Sequence, residues 1–112
     1  MTAHRPAGLE IDVDELAQWR RDQRAHVVLD VREPWETALC RIEGSVIVPL
    51  AALPAAADEL PRDKPIVVVC HHGTRSLQGA VWLRRNGLED AVSLAGGIDA
   101  WAQRIELEMA KY

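Results

Sequence analysis

At 112 residues, with 48% hydrophobic content, the chain is sized for one globular domain, and its two cysteines are too few for a disulfide framework. A net charge of −4, from 13 Lys and Arg against 17 Asp and Glu, argues against a nucleic-acid binder, and basic residues cluster only in pairs such as Arg20-Arg21 and Arg84-Arg85. The apolar stretches fall far short of the ~20 residues of a membrane span and the amino terminus lacks a charged-then-apolar leader, so a cytoplasmic protein is expected.

In chain order, residues 1–8 are small and polar, with Pro6 and Gly8, and read as a loose lead-in to a domain over 9–112. Residues 9–11 make a short strand. Asp12 then caps a helix, with Glu15 three residues on; Val13, Leu16, Ala17 and Trp19 mark its inner side, and it ends near Asp22. Arg20, Arg21 and Arg24 form a solvated face. Residues 26–31 are the next strand, apolar until Asp30. Asp30 and Arg32 have two readings: fixed hydrogen bonds that brace neighbouring loops, since buried charge is usually paired, or groups standing behind a site elsewhere. Pro34 opens a short helix over 35–38, and Trp35 has two readings, packing in the core, which is preferred, or rimming the pocket. Gly44 permits a turn into a strand at 46–48, which Pro49 stops. A helical stretch over 51–60, interrupted at Pro54, leads through Pro61 and Pro65 to the next strand.

That strand, Ile66-Val67-Val68-Val69, has four consecutive β-favouring apolar residues and is expected to be buried on both faces. It ends at Cys70, and the six residues that follow, His71-His72-Gly73-Thr74-Arg75-Ser76, include no apolar side chain. The carboxyl end of a central strand is where open α/β sheets bind ligands, and a short turn there aims backbone N–H groups and a helix amino end at whatever the sulfur holds. Packing alone explains many cysteines at strand ends, because Cys behaves as a small hydrophobe. Here the neighbours are a cation, two imidazoles, a glycine and two hydroxyls, and Arg75 with the helix end favours thiolate over thiol.

Beyond the loop, Leu77, Ala80, Val81 and Arg84 recur at helical spacing, and Asn86-Gly87 makes the carboxyl cap. Residues 91–94 are a last strand. Gly96-Gly97 is a tight turn rather than a phosphate cradle, and 98–109 a closing helix with Trp101 buried. Alternating strand and helix imply an α/β fold, a mainly parallel sheet with helices on both faces, in a single domain without internal repeats.

Cys70 to Ser76 resembles the active-site loop of the rhodanese-like sulfurtransferases, in which a cysteine opens the loop, glycine is frequent at the fourth position and arginine common at the sixth. Val28-Leu29-Asp30-Val31-Arg32-Glu33 is similar to the first signature of that family, Ile42 to Leu50 to the segment after it, and Leu94-Ala95-Gly96-Gly97-Ile98-Asp99-Ala100-Trp101 to the carboxyl-terminal one. Cys40 and Arg41 stand where the family usually has Gly then His. The resemblance implies a five-stranded rhodanese-type sheet and a sulfurtransferase in which Cys70 is the nucleophile. His71, His72, Gly73, Thr74 and Arg75 would form the substrate-binding loop, with Asp30 and Arg32 behind it. Sulfane sulfur would pass from thiosulfate or a persulfide donor to a thiol, cyanide or protein acceptor through a Cys70 persulfide, without a metal or organic cofactor. A sulfur-relay module is the alternative. A phosphatase of the same scaffold or an inactive binding domain fits less well, because Cys70 is present and only four residues separate it from Arg75, where the phosphatases have five.

Overall fold

The computed structural model describes residues 8–112; the lead-in at 1–7 lies outside the described residues. Five strands, β1 (Glu10–Ile11), β2 (Val27–Asp30), β3 (Val46–Ile47), β4 (Ile66–Val69) and β5 (Ala91–Leu94), form one all-parallel sheet in the order β1-β5-β4-β2-β3. Parallel strands need crossovers, and helices supply most of them: α1 (Val13–Arg21), α2 (Pro34–Leu39), α3 (Leu53–Ala56), α4 (Thr74–Arg85) and, after β5, α5 (Gly97–Arg104). β4 sits at the centre of the sheet and all four of its residues are buried. Side chains alternate along it. Val67 and Val69 join a core with Leu16, Trp19, Ile98 and Trp101 from α1 and α5, while Ile66, Val68 and Cys70 join one with Leu53, Ala80 and Leu83 from α3 and α4. The sheet is thus covered on both faces, which is why β4 reads as unbroken apolar sequence.

Asp12 caps α1 as expected, accepting the Glu15 N–H at 2.8 Å, and Val13, Leu16, Ala17 and Trp19 are its buried residues. Two of the arginines called a solvated face are tied down: Arg24 lies 4.1 Å over the Trp19 ring, and Arg20 donates to the Glu43 carbonyl at 2.8 Å. Pro54 does not interrupt its helix. It lies in the first turn of α3, where a missing N–H costs nothing, and 3-10 turns at Leu50–Ala52 and Ala57–Glu59 flank it. The inner stripe of α4 is Ser76, Gly79, Ala80 and Leu83, shifted from the expected Leu77, Ala80, Val81 and Arg84, because the small residues let the helix lie close on β4. A Cβ on Gly79 would stand 3.3 Å from Val68.

Two differences bear on function. Trp35 is 62% exposed rather than in the core, since the inner side of α2 is taken by Glu36 and Thr37. The closing helix stops at Arg104 rather than near Met109. There the Trp101 carbonyl accepts both the Ile105 and Glu106 N–H groups, the Trp101 indole N–H donates to Glu106 at 2.9 Å, and the chain folds back so that Ile105, Met109 and Tyr112 pack on the α1/α5 core. The fold-back brings Tyr112 beside Cys70's own loop.

Candidate active site

Cys70 ends β4, and the next residues form a tight loop into α4. Gly73, at φ 114°, holds the left-handed conformation that glycine adopts without penalty and immediately precedes α4. This conformation turns the Gly73 N–H toward the thiol: it donates to Cys70 Sγ at 3.0 Å. The Ser76 hydroxyl lies 3.3 Å from the same sulfur and 2.7 Å from the hydroxyl of Ser93 on β5. Cys70 is 1% exposed, so the sulfur is sheltered rather than displayed.

The loop is also held from behind. The Ile98 N–H donates to the Cys70 carbonyl at 2.8 Å and the Asp99 N–H to the His71 carbonyl at 3.1 Å, so the first turn of α5 uses its unpaired donors to pin the loop. Gly97, at φ 61°, makes that approach possible, since a Cβ there would overlap the carbonyl oxygens of both Cys70 and His71. The glycine pair therefore serves backbone geometry, with its contact being the loop.

Arg75 does not point freely at the mouth. Its NH1 and NH2 donate to the two carboxylate oxygens of Glu36 at 2.7 and 2.9 Å, a bidentate pair with Glu36 buried and Arg75 about one-third exposed. Glu36 also accepts the Glu33 N–H at 2.9 Å and the Tyr112 hydroxyl at 2.7 Å. These donors, Arg75 above all, hold the Glu36 carboxyl well below its ordinary range, at about 2, despite its burial. The same pair raises the Arg75 guanidinium. Asp30 and Arg32 form a fully buried pair in which Arg32 Nε and NH2 both bind the carboxylate, the latter at 2.7 Å. Arg32 also donates to the Cys40 carbonyl at 2.7 Å and to the Tyr112 hydroxyl at 3.0 Å, so the bracing reading describes what the pair touches. Tyr112 links this brace to Glu36 and so to Arg75. Burial pushes its hydroxyl up to about 12, leaving it a neutral donor and acceptor.

The His71 imidazole is sandwiched. His72 stacks on one face, at 3.9 Å between centroids and 25°, and Tyr112 on the other, at 3.9 Å and 13°. Burial first, and His72 second, lower His71 from the ordinary histidine value, which favours the neutral ring. His72 and Thr74 are exposed. Among the described residues, His71, His72 and Asp99 bring one ligand-type atom each within 4.8 Å of one another. A metal shared by two imidazoles lies near both ring planes, about 2 Å from each nitrogen. Rings stacked 3.9 Å apart at only 25° have planes that do not meet that close, so the trio is not a preformed metal centre.

Cys70, His71, His72 and Gly73 therefore lie in the tight loop and Thr74 and Arg75 open α4 directly after it, while Asp30 and Arg32 connect to Arg75 through Tyr112 and Glu36. Sequence reasoning missed Glu36, Ser93, Asp99 and Tyr112, and passed over Ser76 as a site residue. Ser93 carried a signal, a lone hydroxyl in an otherwise apolar buried strand, and Tyr112 carried none.

A loop of this kind at the end of a central parallel strand, with a sheltered thiol accepting a backbone N–H, defines a cysteine-loop α/β protein. The sequence model of the rhodanese-like domain family matches residues 12–104, and the chain belongs to that family. It is 37% identical over 97 residues to the thiosulfate sulfurtransferase GlpE of Pseudomonas fluorescens, covering 87% of this chain and 88% of that protein. It is 33% identical over 107 residues to the probable adenylyltransferase/sulfurtransferase MoeZ of Mycobacterium tuberculosis, covering 94% of this chain but only 27% of the relative's length. Among solved structures, a rhodanese-related protein from Thermoplasma volcanium superposes with a TM-score of 0.78 at 34% identity, over 92% of this chain and 96% of that one. Membership and these relatives support a sulfurtransferase role. Among the described residues no helix is long and apolar enough to cross a membrane.

Proposed function

We propose that the protein moves sulfane sulfur through a persulfide on Cys70. The carrying observation is the sulfur's setting, an Sγ that accepts the Gly73 N–H at 3.0 Å and lies 3.3 Å from the Ser76 hydroxyl at the end of the central strand. Such fixed dipoles stabilise an anionic sulfur and cost no reorganisation when it reacts. In the first half-reaction the thiolate attacks the outer sulfur of thiosulfate; the S–S bond breaks, its electron pair leaves with sulfite, and Cys70 holds a persulfide anion. In the second, a thiophile such as cyanide or a thiol attacks the terminal sulfur and the thiolate returns. Neither half-reaction calls for a cofactor.

The donor is thiosulfate or a low-molecular-weight persulfide. The relative named a thiosulfate sulfurtransferase supports the former. Arg75 is engaged by Glu36 and a carboxylate, Asp99, stands near the histidines, so main-chain and hydroxyl donors rather than free cations form the immediate anion cradle. A sulfur-relay role, with a protein as acceptor, is the second reading, supported by the relative in which a domain like this one is a minor part of a longer chain. Two free thiols suit a reducing, cytoplasmic setting.

The four-residue spacing between Cys70 and Arg75 favours sulfur over phosphoryl transfer, because a shorter loop encloses less space for tetrahedral oxygens. Purified protein is offered thiosulfate with cyanide in one assay and an aryl phosphate in another. Thiocyanate release without phosphate release is expected; phosphate release that vanishes in Cys70→Ser would overturn the proposal.

A further inference from the structure

Ser93 poses a physical question. It is fully buried in the middle of β5, between β1 and β4, in a strand whose other residues are all apolar. A hydroxyl in such a place is costly unless it is hydrogen-bonded, and alanine would suit the packing as well. Its backbone N–H is already used, donating to the Leu9 carbonyl at 2.7 Å. Its hydroxyl contacts Ser76 Oγ at 2.7 Å, and Ser76, also fully buried, contacts Cys70 Sγ at 3.3 Å. The three groups come from β5, α4 and the end of β4 and form a chain that ends on the sulfur.

Hydrogen-bond accounting gives the chain two directions. With Cys70 as a thiol, S–H donates to Ser76 Oγ and the Ser76 hydroxyl donates to Ser93. With Cys70 as a thiolate or persulfide there is no sulfur proton to donate, so Ser76 donates to Sγ and its oxygen becomes free to accept from Ser93. A donor that itself accepts a hydrogen bond is polarised and bonds an anion more strongly. We propose that Ser93 is a positioning residue of the sulfur site: it donates to Ser76 when the sulfur is anionic and, through Ser76, stabilises the nucleophilic and persulfide states of Cys70. The inference rests on the sulfur-transfer reading only for its consequence in turnover, since the effect on the thiol is present whatever the substrate.

The charged and titratable groups around the loop are Arg75 and Glu36, His71 and His72, Asp99 and Tyr112, and none of them hydrogen-bonds Ser93. Substitution at Ser93 therefore tests the hydroxyl chain separately from them. The experiment measures alkylation of Cys70 by iodoacetamide against pH, resolved from Cys40 by peptide mass, in the wild type, Ser93→Ala, Ser76→Ala and the double variant. Ser93→Ala is expected to slow alkylation roughly 3- to 10-fold on the acid side of the profile while leaving the alkaline plateau in place, the size of one net hydrogen bond. Ser76→Ala should do at least as much, and the double variant no more than Ser76→Ala, because Ser93 acts only through Ser76. An unchanged profile in Ser93→Ala with an altered melting temperature would assign Ser93 to packing and overturn the proposal, as would independent, additive effects of the two substitutions. Wild-type thiocyanate release, measured in parallel, tests the sulfur-transfer reading on its own.

Discussion

Two thiols share this chain, and their surroundings differ enough to predict which one reacts. Cys70 Sγ has a backbone N–H and a hydroxyl within bonding distance, whereas among the described residues Cys40 Sγ has only the Arg32 guanidinium at 3.8 Å, which is occupied with Asp30 and the Cys40 carbonyl. Cys70→Ser is expected to abolish sulfur loading and turnover, and Cys40→Ser to leave both within about twofold, as for a change outside the reacting groups. Equal loss in both folded variants would point to a resolving cysteine instead. Glu36 carries a second prediction. Its carboxyl titrates near 2 in the fold against 4.5 unfolded, chiefly through Arg75, so the stability it lends is complete above about pH 4.5 and lost as pH falls toward 2. With its partner 35% exposed and partly screened, the contribution is on the order of 1–3 kcal/mol. Thermal melts of Glu36→Gln should lie below wild type at pH 7 and converge with it near pH 2; parallel curves across that range would count against the assignment. The nucleophile and its loop were legible because apolar sequence stops abruptly at Cys70. Glu36 and Tyr112 were not, since a glutamate on a short helix and a tyrosine 42 positions beyond Cys70 reveal their meeting only through tertiary packing.

At the level of elements, the site is a junction of four pieces: β4 ends in the thiol, α4 begins with its donors, α5 pins the loop from behind, and α2 supplies Glu36. The α5 contact is the least forgiving. Gly97→Ala would place a methyl group onto the Cys70 and His71 carbonyls in a backbone conformation that alanine disfavours. A loss of about 2–4 kcal/mol in chemical denaturation is expected, together with loss of Cys70 loading. A stable variant that still loads sulfur would show that the loop does not depend on this approach. The strands were readable from their apolar runs, and α1 from its cap and stripe. Helix ends were harder. α5 stops at Arg104 because Trp101, through its carbonyl and its indole, captures the residues just beyond it, an interaction that periodicity does not register. Trp35 faces outward against the preferred core reading because Glu36, drawn in by its polar partners, takes the inner side of α2, an orientation that so short a helix does not show in its sequence.

Across the whole molecule, a central parallel strand buried by helices on both faces ends in the thiol, which the loop after it shelters. The field at that end is balanced rather than strongly positive: Arg75 is matched by Glu36, Arg32 by Asp30, and Asp99 stands by the histidine pair. His71, lowered by burial and by His72, stays neutral through neutral pH; its neutral state favours the fold above its unfolded value of 6.5, an advantage lost as pH falls below it. Replacing His71 and His72 with alanine is expected to raise the Michaelis constant for thiosulfate more at pH 6 than at pH 8, because an imidazole can hold an anionic donor by charge only in its protonated form. A change of equal size at both values would remove imidazole charge from donor binding.

The central claim, that Cys70 carries the transferred sulfur, is tested most directly by intact-mass measurement of the protein before and after thiosulfate, followed by cyanide. The account predicts a gain of one sulfur atom on the wild type, located on the peptide containing Cys70, absent from Cys70→Ser and removed by cyanide with release of thiocyanate. No gain on a folded, fully reduced wild type, or a gain that persists in Cys70→Ser, would contradict it.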